Sequence, residues 1–159
     1  MFSLLRRNSI PTDLLASQLL DEKTFYPSFI NDMSGALHEA IIESPFITSR
    51  RLSQLMPTLQ KLKDRKVRVV INTRDPLEND DEQQRKRAHT AIANLQRIGI
   101  HVLYTSGHHR KLVIIDRHIL YEGSLNVLSQ NNSSEVMRRT VSAQLAWQMI
   151  RFVGIDQFL

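Results

Sequence analysis

The sequence predicts a single α/β domain with a mixed, largely parallel central sheet that is flanked by helices. Three observations lead to this fold class: a length of 159 residues, an ordinary globular composition, and an alternation of strand-like and helical patterns. Apolar residues make up 42% of the chain and charged residues 23%, which is typical of a chain with a packed core.

Helical spacing and short apolar runs alternate along the first two thirds of the chain. Helices are predicted at about 28–40, 50–63 and 80–98, and strands at 41–48, 67–71 and 100–104. Pro57 is expected to kink or split the second of these helices. Strands that alternate with helices in this way are typical of a parallel sheet.

The last third of the chain has a different pattern. Two adjacent strand-like runs, 109–116 and about 119–126, are followed by a polar loop at 129–134. A strand is predicted at 136–141 and a closing helix at 145–153. Adjacent strands without a helix between them predict a hairpin.

Residues 1–27 are predicted to form an N-terminal arm or a short helix, and residues 28–159 the main domain. Thr12 and Asp13 suit a helix start, and leucines follow at helical spacing until Pro27 closes the segment. Asp13 and Gln18 interrupt the apolar stretch, which therefore does not resemble a signal peptide. Since no run approaches the length of a membrane span, we expect a cytoplasmic protein.

The charge balance favours a polyanionic partner. Lysine and arginine number 21 against 16 acidic residues, which gives a formal charge of +5. A mildly basic surface that serves only solubility explains the same number. The absence of cysteine excludes disulfides, zinc–thiolate sites and a cysteine nucleophile.

Four polar residues are expected to meet on one face of the hairpin. Side chains two residues apart on a strand share a face, so His109 and Lys111 point the same way, as do Ser124 and Asn126. A turn at 117–118 sets Lys111 opposite Ser124, and His109 opposite Asn126. A register slip of one residue breaks this patch.

Such a patch suits a phosphate group. Lys111 supplies a point charge, and a serine and an asparagine donate hydrogen bonds to phosphate oxygens. Gly123 lets the backbone come close, and His109 can attack phosphorus or carry a proton. Asp116 has the opposite strand parity and is expected to support the fold or the network.

The motif resembles that of the phospholipase D superfamily. The pattern H-x-K-x4-D, then six residues, then G-S-x-N is matched by His109, Lys111, Asp116, Gly123, Ser124 and Asn126. Glu135 looks like the downstream acidic residue of that family. The resemblance implies a site built from two motifs, which single-motif members such as small bacterial endonucleases obtain by dimerising. A homodimer with a shared site is therefore expected.

The resemblance also implies a mechanism without a metal or other cofactor. His109 of one protomer attacks phosphorus and forms a phosphohistidine, and His109 of the other protonates the leaving oxygen and then activates water. Lys111, Ser124 and Asn126 stabilise the transition state, and Glu135 orients a histidine ring.

Nucleic acid, either DNA or RNA, is the favoured substrate. A phospholipid phosphodiesterase or phosphatidyl transferase is the alternative enzyme, although the sequence shows no amphipathic membrane helix and no stable membrane association is expected. A third possibility is a module that binds nucleic acid without cleaving it and serves a helicase or restriction partner.

Overall fold

The computed structural model describes residues 16–129 and 132–159, which form one α/β unit. Its strands are β1 (Ser17–Asp21), β2 (Glu39–Glu43), β3 (Arg68–Arg74), β4 (His101–Thr105), β5 (Leu112–Ile115), β6 (Ile119–Gly123) and β7 (Val136–Val141). Its helices are α1 (Phe25–Gly35), α2 (Ser49–Asp64), α3 (Glu82–Arg97) and α4 (Ala143–Val153).

The strands form one mixed sheet in the order β1-β7-β6-β5-β2-β3-β4. Among the described strands, parallel pairing joins β2 to β3 and β3 to β4, with α2 and α3 as the crossovers. The strands β5, β6, β7 and β1 add an antiparallel half. The predicted α/β fold with a mixed sheet is confirmed, but the sheet is not largely parallel as expected: among the described strands, four pairings are antiparallel and two are parallel.

Helices cover both faces of the central strands. The first three helices bury Phe29, Leu59 and Leu95 on one face, and α4 buries Ile150 on the other. Neighbouring residues of β2 point to opposite faces, and both faces are covered, so every residue of this strand is buried. None of the described helices has the length and apolarity needed to cross a membrane.

Prolines have a smaller effect on the helices than predicted. Pro27 does not close the leading segment but lies in the first turn of α1, where its missing N–H breaks no helical hydrogen bond. Pro57 lies inside α2, which continues from Ser49 to Asp64 as one helix.

The N-terminal segment differs from its prediction. The first part of the helix expected after Thr12, up to residue 15, lies outside the described residues. From Ser17 to Asp21, where that helix was expected to continue, the chain forms β1. This edge strand pairs with β7, with Leu19 opposite Arg138 and Asp21 opposite Val136. Its partner strand is more than 100 residues away in the sequence, so local spacing gave no sign of it.

The register predicted for the hairpin is wrong by one residue. Ile115 pairs with Ile119, and continuing that register sets Lys111 opposite Gly123 rather than Ser124. The turn has three residues instead of two, because Asp116 and Arg117 both take the left-handed conformation, with φ of 50° and 52°.

Candidate active site

The motif residues lie where the strands end rather than within the paired hairpin. His109 and Lys111 immediately precede β5, and Ser124 and Asn126 follow β6. Because β5 and β6 are antiparallel, these segments meet at one edge of the sheet. The predicted residues therefore come together even though the strand register differs.

His109 and Lys111 form a contact at the surface. The Lys111 Nζ lies 3.1 Å from His109 Nδ1 and donates to the His109 carbonyl oxygen at 2.7 Å. An ammonium group can only donate, so this contact is a hydrogen bond in the tautomer that carries its hydrogen on Nε2. Burial lowers the pKa of Lys111, and the charge of Glu135 acts in the opposite direction.

Glu135 lies on the Ser124 side of this group. Hydrogen bonds from Ser124 and then Ser133 lower the pKa of the Glu135 carboxyl, and the charge of Lys111 lowers it further. The Ser133 hydroxyl donates to Glu135 Oε1 at 2.7 Å. Glu135 makes no hydrogen bond with His109 of the same chain. The contact by which Glu135 was expected to orient a histidine ring is therefore not present within a single protomer.

Asn126 presents a buried, unpaired acceptor. Its Oδ1 has no hydrogen-bond partner among the described residues. The loop around it is fixed: the Tyr26 hydroxyl donates to the Val127 carbonyl at 2.8 Å, and the Thr48 N–H donates to the Leu128 carbonyl at 2.9 Å. Asn126 Oδ1 can therefore accept a further hydrogen bond that the described residues do not supply.

The structure does not bring Asp116 into this group. Asp116 lies at the far end of β5, about 15 Å along the strand from Lys111. Its carboxylate accepts from the backbone N–H groups of Leu37, His38 and Glu39 at 2.8–2.9 Å. Burial raises the pKa of Asp116, but these three hydrogen bonds outweigh it and the net shift is downward. Asp116 therefore connects the turn after β5 to the segment that leads into β2.

Gly123 has a packing role that the sequence did not reveal. A Cβ at this position would lie 2.1 Å from the Val136 carbonyl oxygen and 2.9 Å from Met137 Cα. Glycine therefore allows β7 to approach β6 next to Ser124, which explains the residue without any contact to a phosphate.

A buried network beneath the site was missed from the sequence. Glu43, which is fully buried, pairs with the Arg110 guanidinium and accepts from Asn72 Nδ2 at 3.0 Å. His108 Nδ1 accepts a hydrogen bond from the backbone N–H of Arg110 at 3.1 Å. Burial lowers the pKa of His108, and the nearby Glu43 charge opposes this shift.

This network explains why His109 faces outward. His108 is buried while His109 is exposed, and the Arg110 guanidinium is tied to a buried carboxylate. Neighbouring residues of an extended segment point to opposite sides, so the sequence could have predicted that only one of His108 and His109 is buried. It could not have predicted the network, because Glu43 is 67 residues from Arg110 in the sequence. Among the described residues, no group of three or more His, Cys, Asp or Glu side chains is arranged to hold a metal ion.

Comparison with known proteins identifies the family. The family model described as "Cardiolipin synthase, PLD-like domain" matches residues 29–152. The chain belongs to this PLD-like family. The resemblance to the phospholipase D superfamily is therefore confirmed, although no curated protein sequence gives a significant match.

Solved structures support the PLD-like fold. NucT from Helicobacter pylori is 19% identical with a TM-score of 0.68, over 86% of this chain and 91% of NucT. Nuc from Salmonella typhimurium, a phospholipase D family member, is 19% identical with a TM-score of 0.67, over 86% and 90%. Phosphatidylserine synthase from Haemophilus influenzae is 16% identical with a TM-score of 0.65, over 89% of this chain and 37% of the synthase.

Proposed function

We propose that this PLD-like protein is a phosphodiesterase that cleaves nucleic acid through a phosphohistidine on His109, in a site that a second copy completes. The observation that carries this proposal is the exposed imidazole of His109, which lies 3.1 Å from the Lys111 ammonium at the sheet edge that also holds Ser124, Asn126 and Glu135. A nucleophile beside a fixed cation suits attack on a phosphodiester.

The first chemical step forms a phosphorus–nitrogen bond and breaks a phosphorus–oxygen bond. Phosphate oxygens compete with His109 Nδ1 for the Lys111 ammonium, so substrate binding releases an imidazole lone pair for attack on phosphorus. His109 of the partner subunit is an imidazolium in this step; it gives a proton to the leaving oxygen and becomes a neutral imidazole. Lys111 and the donors of Ser124 and Asn126 stabilise the charge that develops on the phosphoryl oxygens.

The second step returns the enzyme to its starting state. His109 of the partner subunit takes a proton from water, whose oxygen attacks phosphorus as the phosphorus–nitrogen bond breaks. Fixed side-chain charge supplies the electrostatic stabilisation, and no metal ion is part of the proposal.

Three features support a homodimer with a shared site. The chain carries one copy of the motif, and its match spans about nine tenths of NucT and of Nuc. Leu19 and Val136 are apolar but 62% and 50% exposed, and they lie on the same face of the sheet. Val136 follows Glu135 directly, and Leu19 lies on β1, which pairs with the strand that begins at Val136. The Glu135 carboxylate makes no hydrogen bond with His109 of its own chain, so the expected orienting contact needs a second copy. An isologous contact here joins two equivalent edges.

The charge of the chain favours nucleic acid over a lipid surface. The formal charge is +5, and arginines line the neighbouring ends of β2 and β3. The family description names a lipid-synthesising enzyme, so phosphatidyl transfer or phospholipid cleavage is the second candidate.

Cleavage assays with matched histidine variants test the proposal. Wild type, His109→Ala and His118→Ala are incubated in excess EDTA with labelled single- and double-stranded DNA and RNA, and with phosphatidylglycerol vesicles. His118 is an exposed turn residue at the opposite end of the hairpin, which makes it a matched control. We expect wild type and His118→Ala to cleave an oligonucleotide, and His109→Ala to be slower by about 1,000-fold or more.

Acid-free quenching of the reaction with a phosphate-labelled substrate should trap label on wild type and not on His109→Ala. Equal cleavage by all three proteins would overturn the assignment of His109. Headgroup release from vesicles without oligonucleotide cleavage would establish the lipid reaction instead.

A further inference from the structure

A cleft of about 770 Å³ opens beside the motif, at the carboxyl ends of β2 and β3. Its walls are residues 45–50, which lead into α2, the end of β3 and the exposed side of α3. His109 and Lys111 do not line it. The cleft is therefore distinct from the candidate catalytic group, although both lie at the same edge of the sheet.

Hydrogen bonds connect the cleft to the catalytic group on two sides. Ser129 lines the cleft and follows Asn126 by three residues, in a loop that the Thr48 N–H holds through the Leu128 carbonyl. On the other side, Glu78 accepts from the Arg74 guanidinium at 2.7 Å and from the Gly107 N–H at 3.1 Å. These hydrogen bonds fix the position of the cleft walls relative to the segment that carries His109.

The charge of the cleft suits an anion. Arg50, Arg74 and Arg87 line it, and no acidic residue does. Arg74 is paired with Glu78, whereas Arg50 and Arg87 form no salt bridge or side-chain hydrogen bond within the described part of the chain. Two exposed cations with no such partner among the described residues give the cleft a positive potential, which favours phosphate groups.

The apolar part of the cleft suits a flat ring. Phe46 is 38% exposed, and Ile47, Ala88 and Ile92 continue the apolar surface. A free phosphate needs no apolar surface, and an apolar ligand needs no arginines, but a nucleotide presents both kinds of group. A base reaches Phe46 only when it is unpaired, because a duplex keeps its bases stacked inside.

We propose that this cleft binds one or two nucleotides of a single-stranded nucleic acid next to the scissile phosphate, with the phosphates on Arg50 and Arg87 and an unpaired base against Phe46. The proposal rests on the proposed function and names its substrate as single-stranded. The cavity volume lies within the ordinary range of ligand sites and exceeds what a lone phosphate needs.

Binding measurements test this proposal without requiring turnover. In a His109→Ala background, fluorescence anisotropy gives Kd for a labelled ten-nucleotide single strand, the matching duplex, and an abasic strand of the same length. The cleft variants are Arg50→Gln/Arg87→Gln, Phe46→Ala and Phe46→Leu, which keeps apolar volume without a ring. Arg65→Gln, at the opposite end of α2, is the charge control.

We expect the double arginine variant to weaken the single strand and the abasic strand about 10-fold, and to reduce the salt slope by about 1.4. Both Phe46 variants should weaken the single strand about 10-fold and leave the abasic strand unchanged. Arg65→Gln should bind like the parent protein.

Equal losses for the duplex and the single strand, or unchanged Kd in all cleft variants, would overturn the proposal. Loss of binding to phosphatidylglycerol vesicles instead of oligonucleotides would make the occupant a lipid and would also overturn it. Thermal unfolding of each variant separates these outcomes from misfolding. Cleavage that depends on His109 but is accompanied by unchanged binding in the cleft variants leaves the proposed function in place and removes only this inference.

Discussion

Strand β5 has a polar cluster at each end, and the two clusters differ in how completely their groups are paired. At the turn end, Asp116 accepts three backbone N–H groups, and Glu39 pairs with both Arg68 and Arg117. At the opposite end, the His109 ring makes one hydrogen bond among the described residues, to Lys111, and the buried Asn126 Oδ1 has no partner there.

Under the proposed function, this difference separates a structural cluster from a catalytic one. A saturated group of charges holds chain segments together but has no capacity left for a ligand. An incompletely paired group keeps donors, acceptors and a nucleophile available, at a cost in stability that a folding role does not explain. The His-Lys-Asp motif thus divides between two ends of one strand.

Lys111→Ala gives the largest expected effect on this comparison. We expect kcat on an oligonucleotide to fall by about 100- to 1,000-fold, since one preformed charge at the transition state is lost. The free energy of unfolding should change by less than about 0.5 kcal/mol, because Lys111 lies in the incompletely paired cluster at the surface. Single-turnover kinetics and urea unfolding measure the two quantities. A large loss of stability with little loss of kcat would assign Lys111 to the fold.

Asp116→Ala should show the reverse pattern. Three backbone donors lose a charged acceptor, so we expect the free energy of unfolding to fall by about 3 kcal/mol. Asp116→Asn, which keeps one acceptor oxygen and tolerates the left-handed backbone, should lose less. Urea unfolding at neutral pH gives the stabilities, and cleavage per folded molecule gives the control. Full stability combined with abolished cleavage would place Asp116 in the reaction instead.

The sequence predicted the α/β fold and the residues of the sheet edge because these depend on local patterns. Apolar runs, helical spacing and the H-x-K and G-S-x-N spacings are all readable within a few residues. The hairpin register depended on a distant contact: the Asp116 carboxylate holds residues 77 to 79 positions away and fixes a three-residue turn. A two-residue turn was the simpler reading of the same sequence.

Distant pairing also explains the other features that the sequence did not reveal. The edge strand β1 pairs with β7, Glu43 pairs with Arg110 beneath His109, and Gly123 is required by the approach of Val136. The cleft combines residues from several separate elements. Each of these features depends on how the strands pair in the assembled sheet. The hydrophobic pattern of a strand does not show which distant strand it pairs with, or in which register.

Glu135→Gln, in the incompletely paired cluster, is expected to give the smallest of these effects: a shift in the pH dependence of kcat/KM. The negative charge of Glu135 raises the pKa of Lys111, against the lowering by burial. Its removal should therefore lower the pKa of Lys111 further, so that the ammonium is lost at a lower pH. Because the proposed cleavage uses that ammonium, the alkaline limb of kcat/KM should move to lower pH by less than about one unit.

Profiles of kcat/KM between about pH 7 and 10.5 measure this shift. Glu122→Gln is the matched control, since its carboxylate is not among the charges that act on the pKa of Lys111. Lys111→Arg should move the limb to higher pH, because a guanidinium stays protonated throughout this range. A limb that is unchanged in Glu135→Gln, or that moves to higher pH, would show that Glu135 does not set the charge of Lys111. Glu135 would then act in the reaction by another route, such as contact with His109 of the partner subunit.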